Sequence, residues 1–265
     1  MDKQMMDGAG FEARQITEVL LQMRNEEQSR VLSRFFKTGK GQYGEGDRFL
    51  GIKVPQTRMV VKQATLPMPL TEVEQLLHSQ WHEVRLCGWL LLGRMMQQAV
   101  PGKRVGDIAK LQEMALRRQE LAQFYLHHAE RANNWDLVDL SAPYILGVWM
   151  LHPGPDGLPV ERDVLGQLAS SPCMWKQRIA IVSTLMLIRH HQYDDTLQVA
   201  KLLLHHPHDL IQKAVGWMLR EVGKRDLMLL RRFLEQYAAT MPRTALRYAI
   251  EKMEPAERKQ WMGWR

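Results

Sequence analysis

One basic residue, set just ahead of a small and apolar helical face, recurs in four segments of the chain. HEVRLCGWLLL from His82, WKQRIAIVSTL from Trp175, LIQKAVGWMLR from Leu210 and TALRYAIEKM from Thr244 align on Arg85, Arg178, Lys213 and Arg247. The last three of these cations lie 35 and then 34 residues apart, close to the period of helix-pair solenoids. A unit of that length cannot bury its apolar face alone, so successive units must stack into one continuous core. Apolar residues recur at helical spacing almost everywhere, and no stretch shows the β-branched alternation of strands. The fold expected is all-α: a helical-repeat solenoid forming one domain over residues 1–265. It comprises an N-terminal helical region with a Gly-rich loop at 39–46, then repeats over about 55–255. Helices are expected over about 11–36, after Pro55, after Pro69 and across 81–98. The prolines from Pro101 to Pro242 close one helix or open the next.

Equivalent positions of stacked units line one face, so Arg85, Arg178, Lys213 and Arg247 either form a basic stripe on a concave surface or only flank their helices. The formal net charge of +7 favours acidic partners such as nucleic acid. In the same frame WDLVDLSAPYIL puts Asp139 where the other units carry a cation, 39 residues before Arg178. An aspartate there serves either as a helix cap or ion-pair partner, or as the one functional acid of a basic row. Trp135 stands beside it and Trp217 beside Lys213; spacing alone leaves both as core residues or ligand-facing rings. Asp136 falls elsewhere on the helix and is expected to make a structural hydrogen bond.

Several chemistries find no support. Cys87 and Cys173 are isolated, which argues against a disulfide scaffold or thiolate metal site and fits a reducing compartment. The apolar run from Leu140 to Leu151 is broken by Pro143 and is about half of what a bilayer needs. MDKQMMDGAG lacks a hydrophobic leader, so a soluble cytoplasmic chain is expected. GKGQYGEG at 39–46 contains GxGxxG, and LGIK follows at 50–53. However, a helical segment ending in RFFK precedes the glycines, and no HRD or DFG follows. The loop either connects helices or touches a phosphate through Lys37, Lys40 and its backbone N–H groups. The pairs His127/His128, His190/His191 and His205/His206 lack HExxH spacing, so they are expected at exposed helix ends and no metal is anticipated.

The runs FFKTGKGQYGEGDRFLGIKVPQTR, NNWDLVDLSAPYILG, SSPCMWKQRIAIVSTLMLI and HDLIQKAVGWMLREVGKRD, the last followed by MPRTALRYAIEK, resemble the AlkD family of DNA alkylation-repair glycosylases. The likeness runs in order over roughly residues 15–255. It implies HEAT-like repeats with a basic concave surface around duplex DNA, and excision of positively charged N3- and N7-alkylpurines with no metal or organic cofactor. By the resemblance, Asp139 of the WDxVD match serves catalysis and Trp135 and Trp217 pack on the deoxyribose. Arg178 of the WxxR match holds the phosphate backbone. Two departures stand out: Phe35 falls where some members carry a tyrosine, and the Gly-rich insertion is absent from shorter members.

The chemistry of the residues agrees. A cationic alkylpurine leaves without a general acid, so one carboxylate near the sugar suffices to stabilise the oxocarbenium character and to orient water. Lys213, Arg247 and Arg85 would add sequence-independent backbone contacts. The expected partner is duplex DNA containing alkylated bases, bound by a monomer and away from membranes. The alternative is a non-catalytic HEAT-repeat protein recognising bent or branched DNA, and a pure protein scaffold ranks third. Asp139 beside Trp135, with Arg178 and Trp217 present, favours the enzyme.

Overall fold

Capping residues and prolines decide where each helix starts. The structure, a computed structural model, describes residues 10–103 and 105–263; residues 1–9, on which the expectation of no leader rests, lie outside them. Where the sequence reads as one domain, the described residues group into two compact units that divide after Ser141. Among the described residues no strand forms; two isolated bridges, Phe11–Ala64 and Arg48–Trp81, are the sole β pairing.

The first unit contains α1 (Ala13–Gln22), α2 (Glu26–Phe35), α3 (Val54–Lys62), α4 (Leu70–Leu77), α5 (His82–Gln98), α6 (Ile108–His127) and α7 (Trp135–Asp139). The single helix expected over 11–36 is two. Its correction lies in Asn25, whose side-chain oxygen accepts the N–H of Gln28 and starts α2 afresh. Pro55 occupies the first turn of α3, where its missing N–H has no helical partner to lose. α5 begins one residue after Trp81 and forms the centre of the unit, with α1, α3, α4, α6 and α7 packed against it. It is buried on every side from His82 to Leu92, as expected for a helix enclosed by others. Three charged or titratable residues, His82, Glu83 and Arg85, are buried with it.

The second unit opens with a π-helical turn, Pro143–Gly147. It continues through α8 (Asp163–Ala169), α9 (Met174–Arg189), α10 (Asp194–Leu202), α11 (Asp209–Gly223), α12 (Leu227–Tyr237), α13 (Arg243–Ala249) and α14 (Pro255–Gly263). α8 packs on α9, α10 on α9 and α11, and α12 on α11, while α11 lies between α9 and α13. The repeat is thus physical: α9, α11 and α13 form one layer and start at 174, 209 and 243, with α8, α10 and α12 forming the second layer. Arg178, Lys213 and Arg247 are each the fifth residue of their helix, and Arg85 is the fourth residue of α5. Among the described residues no helix is long and apolar enough to cross a membrane.

Candidate active site

α7 is a single turn and a half, and it gives its two acids different surroundings, Asp136 buried and Asp139 half-buried. Asn134 caps it by accepting the Trp135 N–H at 2.9 Å. Trp135 and Asp139 are four residues apart, so their side chains share one face. Both are half-buried. Asp136 points elsewhere: it is 4% exposed, accepts the Leu137 N–H at 2.9 Å, and lies 2.9 Å from Nε2 of His82. The structural hydrogen bond expected of Asp136 is therefore present. The Asp139 charge is felt by Tyr125. Burial first, and Asp139 in addition, push the Tyr125 phenol well above its ordinary range, while its hydrogen bond with Ser141 pulls the other way.

Trp135 is held from behind by an aromatic column. Its ring stacks on Phe36 at 5.1 Å between centroids, Phe36 on Phe49 at 4.8 Å, and Phe49 on His82 at 4.4 Å. Offset stacks of this kind contribute about 0.5–1.5 kcal/mol per pair beyond burial. Phe35 meets Trp135 edge-on at 5.8 Å and is 61% exposed, so the side chain that departs from the family pattern sits at the open end of the column.

Beneath the column lies a buried charge cluster. His82 Nδ1 is 2.7 Å from Asp47, which also receives Arg85 Nη2 at 2.6 Å and the Asn134 amide at 3.3 Å. Burial alone would lower the His82 pKa, but Asp136 and Asp47 outweigh it and raise it to about 9. Burial alone would raise the Asp47 carboxyl, but His82 and Arg85 outweigh it and bring it down to about 2. The four groups Asp47, Asp136, His82 and Arg85 balance in charge, which is what permits so many ionised side chains to be buried together. Glu83 serves a different purpose: its carboxylate accepts the N–H groups of Leu50, Gly51 and Ile52 at 2.8–3.1 Å. The segment between the Gly-rich loop and α3 is thereby fixed to α5. Asp47, Phe36, Phe49, His82 and Glu83 were not singled out from the sequence; their one signal is the charged HEVR start of an otherwise apolar helix.

The cations of the repeat differ in exposure. Arg85 is 6% exposed and committed to Asp47, the Ser79 carbonyl and Asn133. Arg178 is 5% exposed, with Nη1 2.5 Å from the Leu210 carbonyl. Lys213 is half-buried and 2.8 Å from Asp209, and Trp217 lies one turn further along the same face of α11, also half-buried. Arg247 is exposed, and its Nε donates to the Arg243 carbonyl at 3.3 Å. Among the paired histidines, His127, His190, His191 and His205 are exposed as expected, but His206 is half-buried and His128 is 8% exposed because it folds back against α4.

The family model for "DNA alkylation repair enzyme" matches residues 16–253, a span that takes in every residue of both faces just described. The chain belongs to the DNA alkylation repair enzyme family. Among solved structures, a predicted DNA alkylation repair enzyme from Enterococcus faecalis is similar in fold. Its TM-score is 0.64 at 18% identity, with 88% of this chain and 97% of that chain covered. A search of curated proteins returns no match. Family membership makes this a DNA-repair enzyme acting on alkylation damage, and its fold an all-α helical repeat. For a repair enzyme the α7 arrangement has a chemical consequence. One acid is paired inside the protein, and a second shares a helix face with Trp135, whose ring is backed by three more, those of Phe36, Phe49 and His82.

Proposed function

We propose that this protein is a monofunctional DNA glycosylase that excises positively charged N3- and N7-alkylpurines from duplex DNA. The observation that carries this reading is the sharing of one face of α7 by Trp135 and Asp139 while His82 takes up Asp136. In the reaction the C1′–N bond breaks heterolytically and its electron pair returns to the purine, cancelling the positive charge. No proton donor to the leaving base is needed. C1′ acquires oxocarbenium character, which the Asp139 carboxylate stabilises across a short gap. Water then adds to C1′ and gives its proton to Asp139 or to solvent, leaving a neutral free base and an abasic site. The Trp135 face stabilises the cationic sugar by roughly 0.5–2 kcal/mol and excludes water around it. The chemistry asks for no cofactor.

Within the second unit, Trp217 offers a second aromatic contact, and Lys213 and Arg247 offer phosphate contacts. Arg178 stands at the equivalent position of α9 but is buried, with Nη1 on the Leu210 carbonyl. Arg85 is better read as a positioning residue, because its guanidinium is bonded to Asp47. Support for duplex DNA as the substrate comes from family membership and from the +7 net charge.

The test is base release from methylated duplex DNA by wild type and Asp139→Asn, with duplex binding of both measured at two salt concentrations. A loss of about 10²–10³ in rate with binding intact supports the assignment. An Asp139→Asn variant that releases base at the wild-type rate overturns it. Salt-sensitive binding without release by wild type would assign the fold to recognition of DNA alone.

A further inference from the structure

We propose that Glu74, His78 and His128 form a three-ligand site for a borderline divalent transition metal, best matched by Zn²⁺, that ties the C-terminal end of α4 to that of α6. One ligand atom from each residue lies within 4.8 Å of the other two. Glu74 Oε1 and His128 Nε2 are 3.7 Å apart, too long for a hydrogen bond between them. It is close to the separation of roughly 3.4 Å that tetrahedral Zn²⁺ imposes on ligand atoms about 2.0–2.2 Å from it. The remaining closure falls to the side chains of Glu74, half-buried, and His78, exposed.

Three further features fit a cation. Glu74 and His78 are four residues apart at the end of α4, so their side chains meet on one face. His78 Nδ1 lies 3.0 Å from the Glu74 backbone carbonyl, which places the ring proton on Nδ1 and leaves the Nε2 lone pair open. That is the outer-shell arrangement metal-bound histidines use to fix tautomer and ring direction. His78 and His128 are the C-terminal capping residues of α4 and α6, so both imidazoles stand where helix dipoles gather negative potential.

Two imidazoles and one carboxylate select Zn²⁺, Co²⁺, Ni²⁺ or Cu²⁺ over Mg²⁺ and Ca²⁺. Three protein ligands leave a fourth position for water, and His78 also lines an open cavity of about 450 Å³. The ligand set contains none of the residues assigned to base excision, so the metal is structural with respect to that reaction.

The decisive experiment titrates Co²⁺ into metal-free full-length protein and follows visible d–d absorption, with Zn²⁺ competition and thermal unfolding in parallel. One Co²⁺ per chain, displaced by Zn²⁺, is expected in wild type and in the neighbouring control His127→Ala. His78→Ala and Glu74→Gln, both at exposed or half-exposed positions that tolerate substitution, should each weaken Co²⁺ binding. The loss should be at least the 10–100-fold that removal of an outer-shell partner costs. Zn²⁺ should raise the unfolding temperature of wild type and leave that of His78→Ala unmoved. Absence of a visible band at stoichiometric Co²⁺, or a band of equal affinity in His78→Ala and His128→Ala, overturns the site. Base release plays no part in these readouts, so the outcome stands whatever the fate of the glycosylase reading.

Discussion

His82 Nε2 lies 2.9 Å from Asp136 Oδ2, and this single contact ties α7, the helix that carries the candidate catalytic acid, to the central helix α5. The other ring nitrogen reaches Asp47 at 2.7 Å. Only the imidazolium can donate to both carboxylates, because neutral histidine has one N–H. Charge on His82 is therefore part of the scaffold that orients Trp135 and Asp139.

The pH dependence of stability follows. The folded pKa of His82 is about 9, above its ordinary value of 6.5, so its contribution is complete below about 6.5 and lost as pH rises through 9. The loss is on the order of 3 kcal/mol. Asp47 is shifted the other way, to about 2, so its contribution is complete above about 3.8 and lost as pH falls through 2. Urea unfolding of wild type should show a lower midpoint at pH 9 than at pH 6, and His82→Gln should flatten that difference. An equal midpoint at both pH values for wild type would contradict the buried imidazolium.

Glu83 is a second anchor with a larger predicted effect. Glu83→Ala leaves three buried backbone N–H groups, of Leu50, Gly51 and Ile52, without their acceptor. At about 1–3 kcal/mol for each unsatisfied buried group, a destabilisation of at least 3 kcal/mol is expected. Denaturant titration measures it directly. A change below about 1 kcal/mol would mean that water or another acceptor replaces the carboxylate.

These two anchors also mark where the sequence stops being legible. The layer of α9, α11 and α13 could be read because its period is local and its residues repeat in register, which is why Arg178, Lys213 and Arg247 fall at one helical position. That Asp136 points away from Trp135 could be read from its place one residue further round the helix. The cluster of Asp47, His82, Arg85 and Asp136 has no such signature. Its members come from the segment just after the Gly-rich loop, the start of α5 and α7, and no period links positions 47, 82 and 136. Burial of Arg85 and Arg178 was likewise hidden, since an arginine at an aligned position looks the same whether it faces solvent or a carbonyl. The break at Asn25 was missed because its cap lies inside an otherwise continuous helical pattern.

Gly216, next to Trp217, sets the closeness of α11 and α13. A Cβ there would lie 2.4 Å from the Ala245 carbonyl oxygen and 2.5 Å from Tyr248 Cβ. Gly216→Ala must push the two helices apart, at a cost of about 1–3 kcal/mol or more, despite its better helix propensity. A lowered thermal midpoint with altered tryptophan fluorescence is expected. A stabilised variant would show that this packing relaxes easily.

The last prediction separates the cations by exposure. Lys213 and Arg247 stand on successive helices of one layer, half-buried and exposed, whereas Arg85 is spent on Asp47. Each phosphate neutralised contributes about −0.9 to the slope of log affinity against log salt, through counterion release. Lys213→Gln and Arg247→Gln should each weaken duplex binding and flatten that slope by about one unit, without changing the rate of base release at saturating enzyme. Arg85→Gln should instead leave the slope intact and lower stability, since it removes a partner from a buried carboxylate. Equal slope changes in all three variants would mean that Arg85 leaves Asp47 when DNA binds. In that case the buried cluster itself would be part of the DNA-binding response.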